Sequence, residues 1–190
     1  TEPGIGGIVD AVREGRVGFQ RLLTYTFNML VKKIEIVLFL AVVLALTGHP
    51  VMTPMLMVLM LMTNDFLAMS LTTDRASPSV SPSRWRMRNI TGAAIVLGAC
   101  KLVFSAAMLA IGVFALGLGP GEMQTFAFVT LVFGAQAVLY VVRERRPMWN
   151  SRPSRWVLTA SAIDIGIVSI LALSGILMKP LPWRVVVGVL

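Results

Sequence analysis

Cysteine, histidine and charge are scarce in this chain of 190 residues, and each scarcity excludes a class of protein. Cys100 is the only cysteine, so no intrachain disulfide framework can form, and with a single histidine no Cys/His metal cluster is available. Charged residues make up 14% of the chain, against about 25% in soluble globular domains. The sequence also has no glycine-rich phosphate loop and no nucleophile beside a base, so it lacks the catalytic constellations of a soluble enzyme.

Long apolar runs are what the chain has in place of charge. Hydrophobic residues make up 56% of the sequence, and several runs approach the roughly 20 residues that a helix needs to cross a bilayer core. These runs have no polar face, which a soluble helical bundle would require. We therefore expect an all-α, polytopic helical membrane bundle with the lipid bilayer as its first partner.

Polar turns divide the chain into a stalk and a series of spans. In residues 1–24, apolar residues at helical spacing alternate with charged ones, which predicts an N-terminal cytoplasmic stalk helix that continues into the first span. Residues 25–190 are predicted to form a transmembrane helical domain with five complete spans and a truncated sixth. The predicted spans are 25–46, 54–71, 90–116, 123–142 and 156–177, and the sixth begins near residue 181.

Arginine is distributed unevenly between the spans. It clusters in the connections 72–89 and 143–155, whereas the alternate connections carry few charges. Because cytoplasmic loops of membrane proteins are enriched in Lys and Arg, the stalk and both arginine-rich connections are predicted to be cytoplasmic. This rule explains the net charge of +8 better than nucleic acid binding does, and we expect no nucleic acid partner.

The sequence Pro-Ser-Arg-Trp occurs twice, at 82–85 and 153–156, each time just before a predicted span. Serine is a favoured helix N-cap, so Ser83 and Ser154 are predicted to cap the following helices. Trp85 and Trp156 suit the membrane interface, where aromatic rings with a polar edge are enriched.

Charged side chains also occur inside the predicted spans, where each costs roughly 2.5 to 3.5 kcal/mol to insert. Lys32, Lys33 and Glu35 lie in the first span, and Asn64 and Asp65 lie side by side in the second. At 1.5 Å per residue, both carboxylates are about 17 Å from the outer end of their span, near the middle of a ~30 Å core. These five residues are predicted to form an ion-binding or transport site.

A buried ion-pair network that only holds two helices together is the alternative for this group. Asn28 is spaced to share a helix face with Lys32 and Glu35. Asn64 adds another hydrogen-bonding group beside Asp65, and simple helix association seldom needs so many polar groups at one depth. This observation favours a binding or relay site.

Lys101 and Asp164 are two further charged residues within predicted spans, and each is alone in its segment. Lys101 is about eleven residues, or ~17 Å, from the cytoplasmic end of its span, which is too deep for its ammonium to reach the interface easily. We interpret both residues as structural or water-facing groups, with a mutual pair across helices as a further interpretation.

Two stretches of the chain carry a family signature. The stretch TEPGIGGIVDAVREGRVGFQRLLTY, residues 1–25, resembles the stalk of P-type ATPases, where the chain leaves the phosphorylation domain and enters the fifth transmembrane helix. The stretch NDFLAMSLTTDRASPSVSPSRW, residues 64–85, resembles the sixth helix and the following loop of the plasma-membrane proton-pumping subgroup. The residues that fit this second pattern are Asp65, Asp74, Pro78, Pro82 and Trp85.

The resemblance implies that the chain comprises the fifth to tenth helices of a P-type cation-exporting ATPase, with a proton as the favoured ion. It implies that Asp65 carries the ion. Glu35 falls where fungal-type pumps carry an acid and plant-type pumps an arginine, whereas Lys32 and Lys33 depart from the subgroup's pattern. The match is specific in residues 1–90 and loose afterwards.

The intact parent is implied to bind ATP and Mg²⁺ and to have phosphorylation, nucleotide and actuator domains and four earlier helices, whose signatures are absent from these 190 residues. Because the chain starts without Met and stops inside an apolar run, we expect a fragment that holds no metal or cofactor and cannot hydrolyse ATP alone. The expected location is a bacterial-type plasma membrane.

Two other interpretations stay open: a stand-alone non-catalytic multi-pass membrane protein, and a P-type pump for another cation. Mg²⁺ or Ca²⁺ prefers about six or more oxygen ligands. Only Asp65, Glu35 and Asn64 are obvious donors in the first two spans, and this small number favours the proton.

Overall fold

The structure, a computed structural model, describes residues 5–74, 87–143 and 153–189. Over these residues the chain is an all-α bundle, as predicted. A 3₁₀ turn, Leu71–Thr73, directly follows the second helix. The helices are α1 Ile5–Thr47, α2 Pro54–Ser70, α3 Met87–Phe114, α4 Pro120–Arg143, α5 Arg155–Ser174 and α6 Trp183–Val189.

Helix α1 is uninterrupted, as predicted for a stalk that continues into the membrane. No proline occurs within it, and the helix ends where Gly48 adopts a left-handed conformation with φ of 69°. Pro50 follows two residues later and cannot continue the helix. The boundary between stalk and membrane domain after residue 24 stays a prediction, because α1 has no break there.

Four helical segments in the described part of the chain are long and apolar enough to cross a membrane. They coincide closely with the second to fifth predicted spans, and they establish the chain as an integral membrane protein. The apolar half of α1 carries Lys32, Lys33 and Glu35, and its place as a further span stays a prediction. The four segments are Pro54–Thr73, Met87–Phe114, Pro120–Arg143 and Arg155–Ser174.

Helix α4 lies at the centre of the bundle. Phe128 and Val132 of α4 form one buried cluster with Phe39 of α1, Leu56 of α2 and Val168 of α5. Large apolar side chains on the outer faces of the surrounding helices are exposed, as expected for surfaces in contact with lipid. Examples are Phe66 on α2, Val103 on α3 and Ile163 on α5.

Helices α1 and α3 approach each other closely at a glycine. A Cβ atom at Gly98 of α3 would lie 2.9 Å from Cγ2 of Ile34 in α1, so a larger residue would force the helices apart. Small residues at such crossings let the backbones of membrane helices pack directly. This close approach places Glu35 of α1 against Lys101 of α3.

The predicted cap at Ser154 is confirmed. Its side chain accepts a hydrogen bond from the backbone N–H of Val157 at 3.3 Å, in the first turn of α5. The predicted cap Ser83, the interface residue Trp85 and most of both arginine-rich connections lie outside the described residues.

Candidate functional site

Helices α1 and α2 bring polar side chains together in the interior of the bundle. Asn28, Lys32 and Glu35 are all buried along one face of α1, as their spacing predicted. The Nζ atom of Lys32 donates a hydrogen bond to the backbone carbonyl of Asn64 in α2 at 3.4 Å. We refer to the residues at this place as the charged cluster: Lys32, Glu35, Asn64, Asp65, Lys101 and Ser105.

Both carboxylate oxygens of Glu35 contact donors from α3. Lys101 Nζ lies 2.6 Å from Glu35 Oε2, and Ser105 Oγ donates to Glu35 Oε1 at 3.1 Å. Glu35 is 1% exposed, so the pair is withdrawn from solvent. Removing one partner of a buried pair costs about 3–5 kcal/mol, and this pair therefore holds α1 to α3.

Helix α4 leaves room for the lysine of this pair. A Cβ atom at Gly134 would lie 3.3 Å from Lys101 Nζ, so a side chain at this position would crowd the ammonium. The glycine thus helps a long side chain to fit between three packed helices.

The interpretation of Lys101 and Asp164 as a mutual pair is wrong. Lys101 pairs with Glu35, and Asp164 instead accepts a hydrogen bond from Gln136 at 2.6 Å. The sequence did contain a signal for the observed pair. Glu35 and Lys101 follow the cytoplasmic ends of their predicted spans by ten and eleven residues, or ~15–17 Å, so they lie at similar depths.

Asp65 differs from Glu35 in having no protein donor on its carboxylate. It is partly buried, and no hydrogen bond or ion pair joins it to another residue within 5–74, 87–143 and 153–189. Lys32 lies within electrostatic range of it. A carboxylate whose oxygens are not used by the protein can accept a proton or coordinate a cation.

Two buried asparagines beside Lys32 also have unused hydrogen-bonding atoms. Neither Nδ2 nor Oδ1 of Asn28 has a partner in the described part of the chain, and the same holds for Oδ1 of Asn64. Buried polar atoms without a partner are rare in proteins, and internal water or a bound ligand commonly satisfies them. These atoms are therefore available to water or an ion close to Asp65.

Lys33 lies outside the charged cluster. It is exposed on the surface of α1, whereas Lys32 faces the interior, because neighbouring helical residues point about 100° apart. Sequence reasoning missed Lys101 and Ser105 as partners of this site. Of the predicted site residues, the structure brings together Lys32, Glu35, Asn64 and Asp65.

A second buried carboxylate lies where the 3₁₀ turn after α2 ends. Asp74 Oδ1 accepts a hydrogen bond from the backbone N–H of Ser154 at 2.9 Å, and Oδ2 pairs with Arg143 of α4 at 3.3 Å. Arg21 of α1 donates to the backbone carbonyl of Asp74 at 2.9 Å. We call these four residues the Asp74 junction, and it joins the chain after α2 to α1, α4 and the start of α5.

Comparison with known proteins agrees with the resemblance seen in the sequence. The family described as "Cation transporting ATPase, C-terminus" matches residues 49–190. A protein named as a cation-transporting ATPase in Methanocaldococcus jannaschii is 31% identical over 182 residues, which are 95% of this chain and 23% of that protein. The plasma membrane ATPase of Neurospora crassa is 24% identical over 173 residues, 88% of this chain and 18% of that protein. The chain thus spans less than a quarter of either relative.

Proposed function

Because this chain belongs to the family of the C-terminal region of cation-transporting ATPases, we propose that it is the transport portion of an ATP-driven pump that exports protons, with Asp65 as the carrier. One observation carries the proposal. Asp65 is the carboxylate of the charged cluster without a protein donor in the described ranges, whereas both oxygens of Glu35 contact donors from α3. The matched relatives are named for cations or for the plasma membrane, and the choice of a proton rests on the chemistry of the cluster.

The small number of oxygen donors supports a proton over a divalent metal ion. The oxygens of Glu35 already contact Lys101 and Ser105, which leaves the carboxylate of Asp65 and the side-chain oxygens of Asn28 and Asn64. Mg²⁺ or Ca²⁺ prefers about six or more oxygens. The ammonium of Lys32 would also repel a metal ion beside it, whereas a proton on Asp65 makes a neutral carboxylic acid.

Lys32 gives the carrier a means of release. The attraction between its ammonium and a carboxylate weakens as the distance between them grows. Because Lys32 lies on α1, a movement of that helix would change its distance from Asp65. In the proposed pump, approach of Lys32 drives the proton off, and withdrawal lets Asp65 bind the next one.

The rest of the parent pump would supply that movement. ATP and Mg²⁺ would act at its phosphorylation, nucleotide and actuator domains, and α1 would transmit the change as a stalk. The stalk and the arginine-rich connections would then be cytoplasmic, as charge distribution predicts, in a bacterial-type plasma membrane.

The test is ATP-driven transport by the intact parent pump in sealed liposomes that contain a pH-sensitive dye. We expect wild-type vesicles to acidify whichever metal cation is present in the buffer, and a protonophore to abolish the signal. Asp65→Asn should show no acidification, because the amide keeps the shape of the side chain but cannot carry the proton. Asp65→Glu should retain part of the transport rate.

Glu14→Gln is the matched control, because it removes a carboxylate from the exposed surface of α1, away from the charged cluster. Vesicles that contain this variant should acidify at the wild-type rate. Acidification by Asp65→Asn at the wild-type rate would show that Asp65 is not the carrier. Uptake of a metal cation without any change in internal pH would show that the transported ion is not a proton.

A further inference from the structure

Asp164 of α5 is a buried carboxylate that the proposed carrier role does not use. It is 7% exposed, and its Oδ2 atom accepts a hydrogen bond from Gln136 Nε2 at 2.6 Å. Gln136 Oε1 in turn accepts from Ser161 Oγ at 2.6 Å, which fixes the orientation of the amide. Oδ1 of Asp164 makes no hydrogen bond to another residue in the described ranges.

A groove of about 380 Å³ between α2 and α5 reaches this carboxylate. A buried water needs two to four polar partners, and Asp164 and Thr63 supply the polar side chains of this groove. Of the described residues that line the groove, Asp164 alone is ionisable, and Thr63 of α2 supplies the other polar side chain. The remaining lining is apolar and includes Phe66 and Ile163, which are exposed on the outer surface.

Lys32 connects Asp164 to the charged cluster. It lies within electrostatic range of both Asp164 and Asp65. The other charged groups that act on Lys32 are Lys101 of α3, which repels it, and Glu35 of α1, which attracts it. Lys32 is thus the buried cation that the two aspartates share.

We propose that Asp164, at the α2–α5 groove, is a second proton-binding site of the pump and is coupled to Asp65 through Lys32. A hydronium ion transfers its proton to Oδ1, which leaves water and a neutral carboxylic acid. Lys32 then loses the attraction of Asp164, and its charge acts more fully on Asp65. Protonation of Asp164 therefore promotes proton release from Asp65. This inference rests on the proposed function.

A purely structural role predicts a different outcome for the same substitution. Asp164→Asn keeps an oxygen that can accept the hydrogen bond of Gln136, so the connection between α4 and α5 survives while the titratable group is lost. A variant that behaves like the wild type would therefore show that Asp164 only fastens the two helices.

The direct test is infrared absorption of carboxylic acid groups in the reconstituted intact pump during acidification, without ATP. We expect the wild type to gain a signal that Asp164→Asn lacks and that Asp65→Asn keeps. In the transport assay, Asp164→Asn should displace the pH of half-maximal rate to lower pH by about one unit, a tenfold change in proton concentration. The direction follows because the neutral amide leaves Lys32 acting on Asp65 at every pH.

A measurement on the unmodified pump does not depend on whether the variants fold. An apolar carbodiimide reacts with protonated carboxyl groups, and the apolar groove should admit it to Asp164. We expect a mass-spectrometric adduct on Asp164 that increases as the pH falls. An unchanged infrared signal in Asp164→Asn, or an adduct on Asp65 without one on Asp164, would overturn the proposal. The infrared and labelling results do not depend on transport, so they fail separately from the proposed function.

Discussion

Asp65 and Asp74 lie on the same stretch of chain, and their carboxylates have opposite surroundings. Asp74 is 5% exposed, and both of its side-chain oxygens contact donors from other elements. Asp65 is partly buried, and no protein donor reaches it in the described part of the chain. A carboxylate that the protein itself satisfies holds the fold together, whereas one without donors is available to a ligand. Burial of charge alone therefore does not identify a functional residue.

By this comparison Glu35 is a structural carboxylate, like Asp74. It lies in the charged cluster with Asp65, yet Lys101 and Ser105 occupy its oxygens as fully as donors occupy those of Asp74. Its removal should act mainly on stability, and its effect on transport should be indirect, through the field at Asp65. Substitutions at these residues and their partners test this division between structural and available carboxylates.

The largest effect on stability is expected at the Asp74 junction. Asp74→Ala removes a carboxylate that pairs with Arg143 and accepts from the Ser154 backbone N–H. We expect the free energy of unfolding to fall by an amount near the upper end of the ~3–5 kcal/mol range for broken buried pairs. Thermal unfolding of the intact protein in detergent measures it. Asp10→Ala, on the exposed surface of α1, is the control, and equal unfolding temperatures for the two variants would refute the structural role of Asp74.

A somewhat smaller loss is expected when the charged cluster is broken at Lys101. Lys101→Met leaves Glu35 buried with only the Ser105 hydroxyl as a donor, and we expect a loss of about 3 kcal/mol. The double variant Glu35→Gln/Lys101→Met removes both charges and should recover most of that loss. If the loss of unfolding free energy in the double variant equals the sum of the losses in Glu35→Gln and Lys101→Met, the pair does not stabilise the bundle in the way described.

The close approach of α1 and α3 provides a third test. Gly98→Val would place side-chain atoms where Ile34 already lies, and overpacking of this kind costs roughly 1–3 kcal/mol. It should also lengthen the Glu35–Lys101 ion pair. Gly92→Ala is the control, since no atom lies within 4 Å of a Cβ there. Equal unfolding temperatures for the two variants would mean that the crossing tolerates a wider spacing.

The smallest effect is expected at the cap of α5. Ser154→Ala removes the hydroxyl that accepts from Val157 N–H but keeps the backbone N–H that donates to Asp74. We expect a loss of about 1 kcal/mol in the free energy of unfolding, and Ser154→Asn should restore most of it, because asparagine is an equally good cap. A loss as large as that of Asp74→Ala would show that the two bonds at this residue cannot be separated.

Local patterns predicted the helices and the buried face of α1. Apolar run length, proline and glycine positions and helical spacing are properties of nearby residues, and they gave the bounds of α2 to α5 closely and the shared burial of Asn28, Lys32 and Glu35. The same spacing could not separate Lys32 from Lys33, because which face of a mixed helix turns inward depends on its neighbours.

Partners across helices were harder to predict because they depend on packing. Matching depths pointed towards the Glu35–Lys101 pair, but choosing between Glu35 and Asp164 as the partner required knowing that α3 packs on α1 at Gly98. The bonds of Asp74 to Arg143 and Ser154 connect distant parts of the chain, and no motif spacing encodes them.

The measurement that tests the central claim most directly compares Asp65→Asn with Asp74→Asn in the intact pump, with ATP-driven acidification and unfolding temperature recorded on the same preparations. We expect Asp65→Asn to lose transport while its unfolding temperature stays unchanged or rises, because the substitution removes a charge from the membrane interior. We expect Asp74→Asn to lower the unfolding temperature while the folded protein still transports. Acidification by Asp65→Asn at the normal rate would contradict the account.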